Sequence, residues 1–246
     1  MVERDDRSAL ATFYAPGEWM EHVTLDADAA HHAHVRRLVA GDVVRLSNGT
    51  GRRGRAAIAE LSKRELRVTV EAKSVEHVAE PPRIELWAPV GDRDRMLMLA
   101  EKSVELGVSV WRPVLYARSR SVSPRGEGEG FRQKVRARQI AALEQSGGAW
   151  LPSSSEEVAL DVALIAERGF SGISFLLDAD GERIADLSAS ASTPARVALG
   201  PEGGLTDDER TQFARAGWRL VSLGSNVLRF ETAGIAALAI LRAHFR

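Results

Sequence analysis

The chain has no cysteine among its 246 residues. This absence excludes disulfide bonds, thiolate nucleophiles and zinc sites built on cysteine. The sequence also has no apolar run long enough to cross a bilayer, so we expect no membrane-spanning helix. The first residues, Met-Val-Glu-Arg-Asp-Asp-Arg, lack the apolar region of a secretion signal, which predicts a cytoplasmic protein. The 44% hydrophobic content suffices for one large or two modest domains.

The net charge of −1 conceals two basic segments. Residues 36–67 carry nine Lys and Arg against three acids, and residues 112–138 carry eight against two, a local charge of +6 in each. Such segregation is typical of a protein that docks the phosphate backbone of a nucleic acid on one face. Solvated helix faces and loops are the alternative, but the loops gain charge without pairing acids nearby in the sequence. We therefore expect a nucleic acid partner.

The first third of the chain has the pattern of a small β-rich module with one helix. The helix spans 26–38, with either Asp26 or Asp28 as its cap, and strands are predicted over 21–25, 42–47, 56–61 and 66–71. Three histidines in the helix (His31, His32 and His34) lack an acid or cysteine to complete a ligand set, so we expect no metal site. The stiff Glu80-Pro81-Pro82 segment predicts a boundary between domains 1–80 and 81–246.

Two loops carry arginines that we expect to contact the nucleic acid. Residues 48–55 read as a glycine-rich hairpin tip that includes Arg52 and Arg53. An ordinary Asn-Gly turn explains the glycines of this tip but not its arginines. Residues 117–130 have the composition of a long surface loop, with Arg118 and Arg120 among serine, glycine and proline.

The rest of the chain alternates strands and helices, which predicts an α/β domain. Strands are expected over 84–90, 108–116, 173–177, 196–199 and 220–223. Helices are expected over 94–106, 131–146, 156–167, from Thr206, and over 232–245, with a turn at 178–181, a short helix over 182–187 and a loose connector over 188–193. The last helix is apolar almost all round, so it must be buried in a core or at a subunit interface.

The stretch that organises this domain is a strand–glycine loop–helix unit that occurs twice. The first loop is Leu199-Gly200-Pro201-Glu202-Gly203-Gly204, and Thr206 and Glu209 after it have the spacing of a capping box. The second loop follows Leu223-Gly224. We expect both loops at the carboxyl ends of neighbouring strands, where open α/β sheets bind ligands. Neither loop is a Walker or G-x-G-x-x-G phosphate loop, and tight strand-to-helix turns without a ligand are the alternative.

These residues resemble the paired loops of the SPOUT methyltransferases. The nearest resemblance is to the RsmE family, which methylates N3 of a uridine in 16S ribosomal RNA, and it runs nearly end to end. The motif residues are Leu199 to Gly204, then Leu223-Gly224 with Leu228-Arg229-x-Glu231-Thr232-Ala233, supported by Lys102-Ser103-x-Glu105-Leu106-Gly107, Arg118-Ser119 and Glu144-Gln145-Ser146-Gly147. The chain departs from the family pattern at Gly148, Ser225-Asn226 and Phe230.

The resemblance implies a fold, a cofactor and partners. The fold would be a C-terminal SPOUT α/β knot, with a mostly parallel sheet and flanking helices, after an N-terminal PUA-like β-barrel that binds RNA. The implied cofactor is S-adenosylmethionine (SAM), and the implied state is a homodimer that acts on the 16S rRNA of the small ribosomal subunit. No metal is implied.

The expected site residues fall into three sets. The cofactor set is Leu177, Leu199, Gly200, Pro201, Glu202, Gly203, Gly204, Leu223, Gly224, Leu228 and Thr232. The RNA set is Arg36 and Arg37, in the family's basic turn after the helix, with Arg52, Arg53, Arg118 and Arg120. In the catalytic hypothesis, Arg229 stabilises the uracil anion, and Glu231 either orients Arg229 or acts as the base.

Two other functions fit the same residues. One is another SPOUT reaction, such as ribose 2′-O-methylation of tRNA or rRNA. The other is a non-catalytic RNA-binding or ribosome-assembly factor that keeps the fold, and the absence of SAM binding would favour it.

Overall fold

The computed structural model describes residues 9–121, 125–184 and 193–244, without the side chains of residues 120 and 121. The chain forms two compact units. The first contains the residues up to Glu80 together with Ile140–Leu151, and the second contains Pro81–Gln139 and the residues from Pro152 onward. No helix in the described ranges is long and apolar enough to cross a membrane.

The first unit is a curled, mostly antiparallel sheet with one helix. Its elements are β1 Thr12–Tyr14, β2 His22–Leu25, α1 Ala27–Val35, β3 Val43–Ser47, β4 Arg52–Leu61, β5 Leu66–Val70 and β6 Glu76–His77. The sheet has the order β1-β3-β4-β5-β2, and β6 pairs with β4. Asp26 caps α1 as predicted, because its side chain accepts from the backbone N–H groups of Asp28 and Ala29. Phe13, Leu46 and Val68 are among the buried core residues of this unit.

The hairpin predicted around residues 48–55 is present, because β3 and β4 pair antiparallel, but its tip is shorter than predicted and ends before the arginines. Arg52, Arg53 and Arg55 lie within β4, where their backbones pair with neighbouring strands. The alternation of arginine with small residues here is the two-residue period of a strand, which the glycines obscured.

The second unit is an α/β structure with a parallel sheet. Its elements are β7 Ile84–Pro89, α2 Arg93–Glu105, β8 Val110–Leu115, α3 Glu129–Ser146, β9 Ser153–Ser154, β10 Val158–Ala159, α4 Leu160–Ala166, β11 Ile173–Arg183, β12 Ala195–Ala198, α5 Asp207–Arg215, β13 Arg219–Ser222 and α6 Phe230–His244. From Ile140 onward, α3 belongs to the first unit. The sheet order is β10-β8-β7-β12-β11-β13, with β9 on β8, and every described pairing is parallel.

Helices cover both faces of this sheet. Leu86 packs in a core with side chains of α2, α3 and α6, and the next residue, Trp87, packs with side chains of α4 and α5. Adjacent residues of a strand point to opposite faces, so the continuous apolar run of β7 is explained by burial on both sides. In α6, Ala237, Leu238 and Leu241 are buried, whereas Thr232 and Ala239 are exposed, so this helix is not covered all round.

We expected the two strands that carry the motif loops, β12 and β13, to be neighbours, but they are not. β11 lies between β12 and β13 and pairs with both. Because all three strands are parallel, the loops after β12 and β13 still meet the same edge of the sheet. The knot implied by the family resemblance concerns the threading of the chain, and it stays a prediction.

Two further predictions in the region 156–187 differ from the structure, one in where a helix starts and one in the type of element. The helix predicted over 156–167 is confined to α4, since Val158–Ala159 pairs with β8 instead. The turn at 178–181 lies inside β11, where Leu177 and Glu182 both pair with Val221 and the four residues between them bulge out. Glu182 and Arg183 of the predicted short helix are strand residues, and Ile184 is buried in the core. Residues 185–187 of that helix and 188–192 of the connector lie outside the described residues.

Candidate active site

A cavity of about 400 Å³ lies at the carboxyl ends of β11 and β12. Its size is within the range of small-molecule sites. Seven residues of the expected cofactor set line it: Leu177, Leu199, Gly200, Pro201, Glu202, Gly204 and Leu228. The structure therefore brings both loops to one cavity, even though their strands are separated by β11.

The bulge of β11 supplies the cavity with two carboxylates. Asp178 is buried, its side chain 5% exposed, and it pairs with Arg210 of α5 at 2.6 Å. Asp180 is exposed and lies 3.9 Å from the same Arg210 nitrogen. A Cβ atom on Gly181 would collide with the backbone of Val221, so the bulge returns to the sheet only through a glycine. The bulge thus fixes an acidic patch on one wall of the cavity.

The loop after β12 supplies a third carboxylate, Glu202, and a close backbone approach. Glu202 pairs with Arg95 of α2 at 3.3 Å and accepts a hydrogen bond from the backbone of Asp92. A Cβ atom on Gly91 would lie 2.8 Å from the Glu202 carboxylate, so the glycine leaves room for the Glu202 side chain. The loop leads into the capping box of Thr206 and Glu209, which was predicted and is present.

Arg118 holds this loop from the side. Its Nη1 donates to the carbonyl oxygens of Gly203 and Leu205, at 2.7 and 3.4 Å. A Cβ atom on Gly203 would lie 3.0 Å from the Arg118 side chain. This close packing accounts for the glycine, so no bound ligand is needed to explain it. The arginine expected on RNA therefore contacts the loop of the cavity in this structure.

The start of α6 places the two expected catalytic residues differently. Arg229 lines the cavity and is exposed. Glu231 does not line it: the residue is 6% exposed, and its Oε2 has no hydrogen-bond partner within the described structure. A buried carboxylate oxygen without a donor is costly, so this atom needs an explanation that the fold alone does not give.

Leu223, Gly224 and Thr232 do not line the cavity in this structure. Gly224 has φ of 137°, a conformation that favours glycine, so its backbone turn accounts for the residue. Thr232 is exposed on the first turn of α6. These three residues come from the motif of the second loop, of which Leu228 and Arg229 reach the cavity.

The expected RNA residues of the first unit lie on two elements. Arg36 and Arg37 follow α1, where Arg37 adopts φ of 57° and is the one non-glycine residue with positive φ in the described ranges. That conformation is strained for an arginine and often marks a functional position. Arg52 pairs with Glu18, and Arg53 pairs with Glu76 at 2.6 Å. The side chain of Arg120 lies outside what the structure describes.

The expectation that the basic segments lack pairing acids was wrong. In addition to Arg52 and Arg53, three more arginines of these segments form ion pairs. Arg55 pairs with Glu71, Arg138 pairs with Glu101, and Arg132 pairs with Glu129, Glu156 and Glu157. All of these acids except Glu129 lie outside the two counted segments, so counts within one segment do not find them. Lys102 and Glu105 of the family motif pair with each other on the surface of α2 at 2.8 Å.

Sequence reasoning missed Arg95, Asp178, Asp180 and Arg210, all of which line the cavity. A signal existed for the two aspartates, because they follow a strand whose carboxyl end was expected to face the ligand. No local signal distinguishes Arg95 or Arg210 from surface residues of amphipathic helices.

Comparison with known families agrees with this geometry. The profile of the RNA methyltransferase domain matches residues 79–242, which include every residue that lines the cavity. The profile of the RNA methyltransferase PUA domain matches residues 25–71 in the first unit.

Individual relatives match over nearly the whole chain. The ribosomal RNA small subunit methyltransferase E of Rickettsia conorii is 26% identical over 240 residues, covering 93% of each chain. A crystal structure of the enzyme of that name from Neisseria gonorrhoeae, bound to S-adenosyl methionine, is 27% identical with a TM-score of 0.81, covering 95% of this chain and 97% of that one. A methyltransferase from Legionella pneumophila in complex with SAM is 28% identical with a TM-score of 0.81, covering 94% and 96%.

Proposed function

The chain belongs to the RNA methyltransferase family, and from this premise we propose that it transfers a methyl group from SAM to N3 of a uridine in small-subunit ribosomal RNA. The observation that carries the proposal is the cavity at the carboxyl ends of β11 and β12, where the two sequence motifs meet. The names of the relatives support the cofactor and the RNA. The N3 position rests on the motif resemblance.

The residues of the cavity fit the chemistry of SAM. Apolar side chains suit an adenine ring, and they are Leu177, Leu199, Leu205, Phe230 and Ala233. The carboxylates of Asp178 and Asp180 suit ribose hydroxyls or an ammonium group. When bound, SAM supplies an electrophilic methyl group on a positively charged sulfur.

The protein must also present a uracil with its N3 unpaired and deprotonated. This nitrogen lies on the pairing edge, so the nucleotide must leave its helix, as is usual in RNA recognition. In the proposal, Arg229 approaches a uracil carbonyl oxygen and stabilises the anion, since it lines the cavity with an exposed guanidinium. Alignment of the nitrogen with the methyl carbon can contribute about 7–11 kcal/mol of the barrier reduction.

Glu231 has a proposed supporting role. Its Oε2 is buried without a donor, and a movement of Arg229 or of the RNA toward it would supply one. In this role the carboxylate orients the guanidinium or accepts the N3 proton.

The proposed working state is a cytoplasmic homodimer. Val227 is 92% exposed on the loop that precedes α6, and Ile235 and Ile240 of that helix are only partly buried. Apolar side chains on one helix and its preceding loop are a usual component of a subunit interface. Light scattering of the purified protein gives a dimer mass if this is right, and a monomer mass at all concentrations otherwise.

The direct test of the proposed chemistry is Arg229→Ala. The protein is supplied with methyl-labelled SAM and unmethylated small ribosomal subunits, with tRNA as a second substrate. We expect the wild type to label the small-subunit RNA, and the variant to lose labelling while it keeps most of its SAM affinity. Unchanged turnover removes Arg229 from the mechanism, label in tRNA redirects the substrate, and absence of SAM binding by the wild type favours the non-catalytic factor.

A further inference from the structure

A larger cavity lies at the opposite edge of the same sheet, at the amino ends of β11 and β12. It measures about 730 Å³, and Gly172, Ser174 and Arg196 lie on its strand side. Arg168, Gln212 and Arg215 line it from the ends of α4 and α5. The motif loops thus lie at one edge of the sheet, and a second cavity, lined by three arginines, lies at the other edge.

Arg196 is held rigidly in this cavity. The residue is 6% exposed, its Nε donates to Ser174 Oγ at 2.6 Å, and its Nη1 donates to the Glu167 carbonyl at 3.2 Å. The guanidinium carbon lies 4.5 Å from the ring centroid of Phe170 and 4.6 Å from that of Trp218. Such contacts fix the plane of the guanidinium, so its remaining N–H groups keep one direction.

The positive charge of Arg196 has no direct ion pair. Burial lowers the pKa of Arg196, and the carboxylates of Glu85 and Glu167 oppose this effect from a distance. Glu85 pairs with Arg83 through Oε1 at 2.6 Å while its Oε2 makes no hydrogen bond to a described residue, and Glu167 pairs with Arg112. No acid of the described chain comes within 4.0 Å of the Arg196 nitrogens.

The remaining donor of this guanidinium is free to bind an anion. Nη2 donates no hydrogen bond to any described residue, yet it is not among the fully buried polar atoms without a partner, so it faces accessible space. Arg168 and Arg215 are exposed on the rim. Of the two acids that line the cavity, Glu167 is already paired with Arg112, which leaves Asp161 against three arginines.

We propose that this second cavity binds a phosphate group, with Arg196 Nη2 as its fixed donor and the rim arginines as its counter-charges. A planar guanidinium fork matches the oxygens of phosphate, and the exposed side of Phe170 and Ile165 can cover an adjoining sugar. The phosphate would be a backbone phosphodiester of RNA or the phosphate of a free nucleotide. The RNA source rests on the proposed function, whereas the anion site does not.

Titration with inorganic phosphate tests the site without methyl transfer. The full chain is titrated with phosphate at constant ionic strength, and binding is followed by calorimetry and by tryptophan fluorescence, since Trp218 contacts Arg196. Arg168→Gln and Arg215→Gln remove exposed rim charges and leave the fold intact. The matched control is Arg219→Gln, an exposed arginine of the same unit that pairs with Glu182.

We expect saturable phosphate binding in the wild type and in Arg219→Gln, and binding at least fivefold weaker in each rim variant. Arg196→Met should abolish binding, and circular dichroism checks that this variant folds. The rim variants keep the test decisive if it does not. Absence of saturable binding by the wild type, or equal binding by the rim variants and the control, overturns the proposal.

The salt dependence of RNA binding distinguishes the two sources of phosphate. If RNA occupies the site, each rim variant lowers the slope of log affinity against log salt by about one relative to Arg219→Gln. If the slope is unchanged while uridine monophosphate binds the wild type and not the rim variants, the ligand is a free nucleotide. Either result upholds the anion site, and neither depends on whether the chain methylates N3.

Discussion

Asp178 shows how a single side chain links the fold to the candidate cofactor site. Its carboxylate is 5% exposed and bonded to Arg210, while its backbone forms the start of the bulge in β11. The ion pair with Arg210 holds the Asp178 carboxylate in place on the cavity wall, next to the exposed Asp180.

Asp178→Asn should weaken SAM binding by about tenfold or more, because loss of a charge-assisted contact costs about 1.5–3 kcal/mol. Calorimetric titration with SAM measures this change. The control is Asp207→Asn, an exposed aspartate in the first turn of α5, which should bind SAM as the wild type does. Equal affinity of Asp178→Asn and wild type would place the cofactor elsewhere.

Glu144 is a residue of the first unit whose charge depends on pH. Burial raises the pKa of its carboxyl, while hydrogen bonds from the Tyr14 backbone and from His32 act in the opposite direction. Its two oxygens lie 2.8 Å from Tyr14 N and 3.4 Å from His32 Nδ1. Arg36 Nε donates to the other ring nitrogen of His32 at 3.0 Å, so the carboxylate is linked to an expected RNA contact.

The sign of the pH effect follows from the raised pKa. The native state binds the Glu144 proton more tightly than the unfolded chain, so the free energy of unfolding falls as pH rises from the ordinary carboxyl pKa through the raised one. Glu144→Gln lacks this dependence. We therefore expect urea unfolding at several pH values to show that the wild type loses stability relative to Glu144→Gln across this range, and a relative gain would contradict the assignment.

Among the elements, the strand bulge of 178–181 was the hardest to predict. The sequence Asp-Ala-Asp-Gly has the composition of a turn, and local propensity cannot show that the chain rejoins the same strand pairing at Glu182. In contrast, the capping aspartate of α1 and the capping box of α5 were predicted correctly, because the atoms that satisfy them lie within four residues.

Gly181→Ala tests the bulge. A Cβ atom at this position would collide with the backbone of Val221, which cannot move without breaking the pairing of β11 with β13. We expect a loss of about 1–3 kcal/mol in the free energy of unfolding and weaker SAM binding. The control is Gly169→Ala, where a Cβ atom would meet nothing within 4 Å, and it should change neither quantity. Wild-type stability of Gly181→Ala would contradict a close approach of residue 181 to the Val221 backbone.

The order of strands was also beyond local sequence. β12 and β13 are consecutive strand–loop–helix units, and sequential strands are usually adjacent, yet β11 lies between them. In a parallel sheet, the edge at which a loop emerges does not depend on the order of the strands. The prediction that the two loops meet was therefore correct, although the predicted order of the strands was not. Arg95 and Arg210 reach the cavity only through this three-dimensional arrangement.

For the whole molecule, the division into units follows contacts rather than sequence order. Residues 140–151 lie within the stretch assigned to the second domain, but they group with the residues up to Glu80. Glu144 and Trp150 explain this grouping, since they bond to the backbones of Tyr14 and Val78. Bonds across such long sequence separations leave no pattern in the sequence of either partner.

The central claim is that the whole molecule methylates N3 of a uridine in small-subunit rRNA. The most direct measurement is mass spectrometry of nucleosides from unmethylated small ribosomal subunits after incubation with the protein and methyl-labelled SAM. Our account predicts that the label appears as N3-methyluridine, and that Arg229→Ala and Asp178→Asn reduce it while Asp207→Asn does not. Label found as a 2′-O-methylated nucleoside, or in tRNA and not in the subunits, would contradict the account.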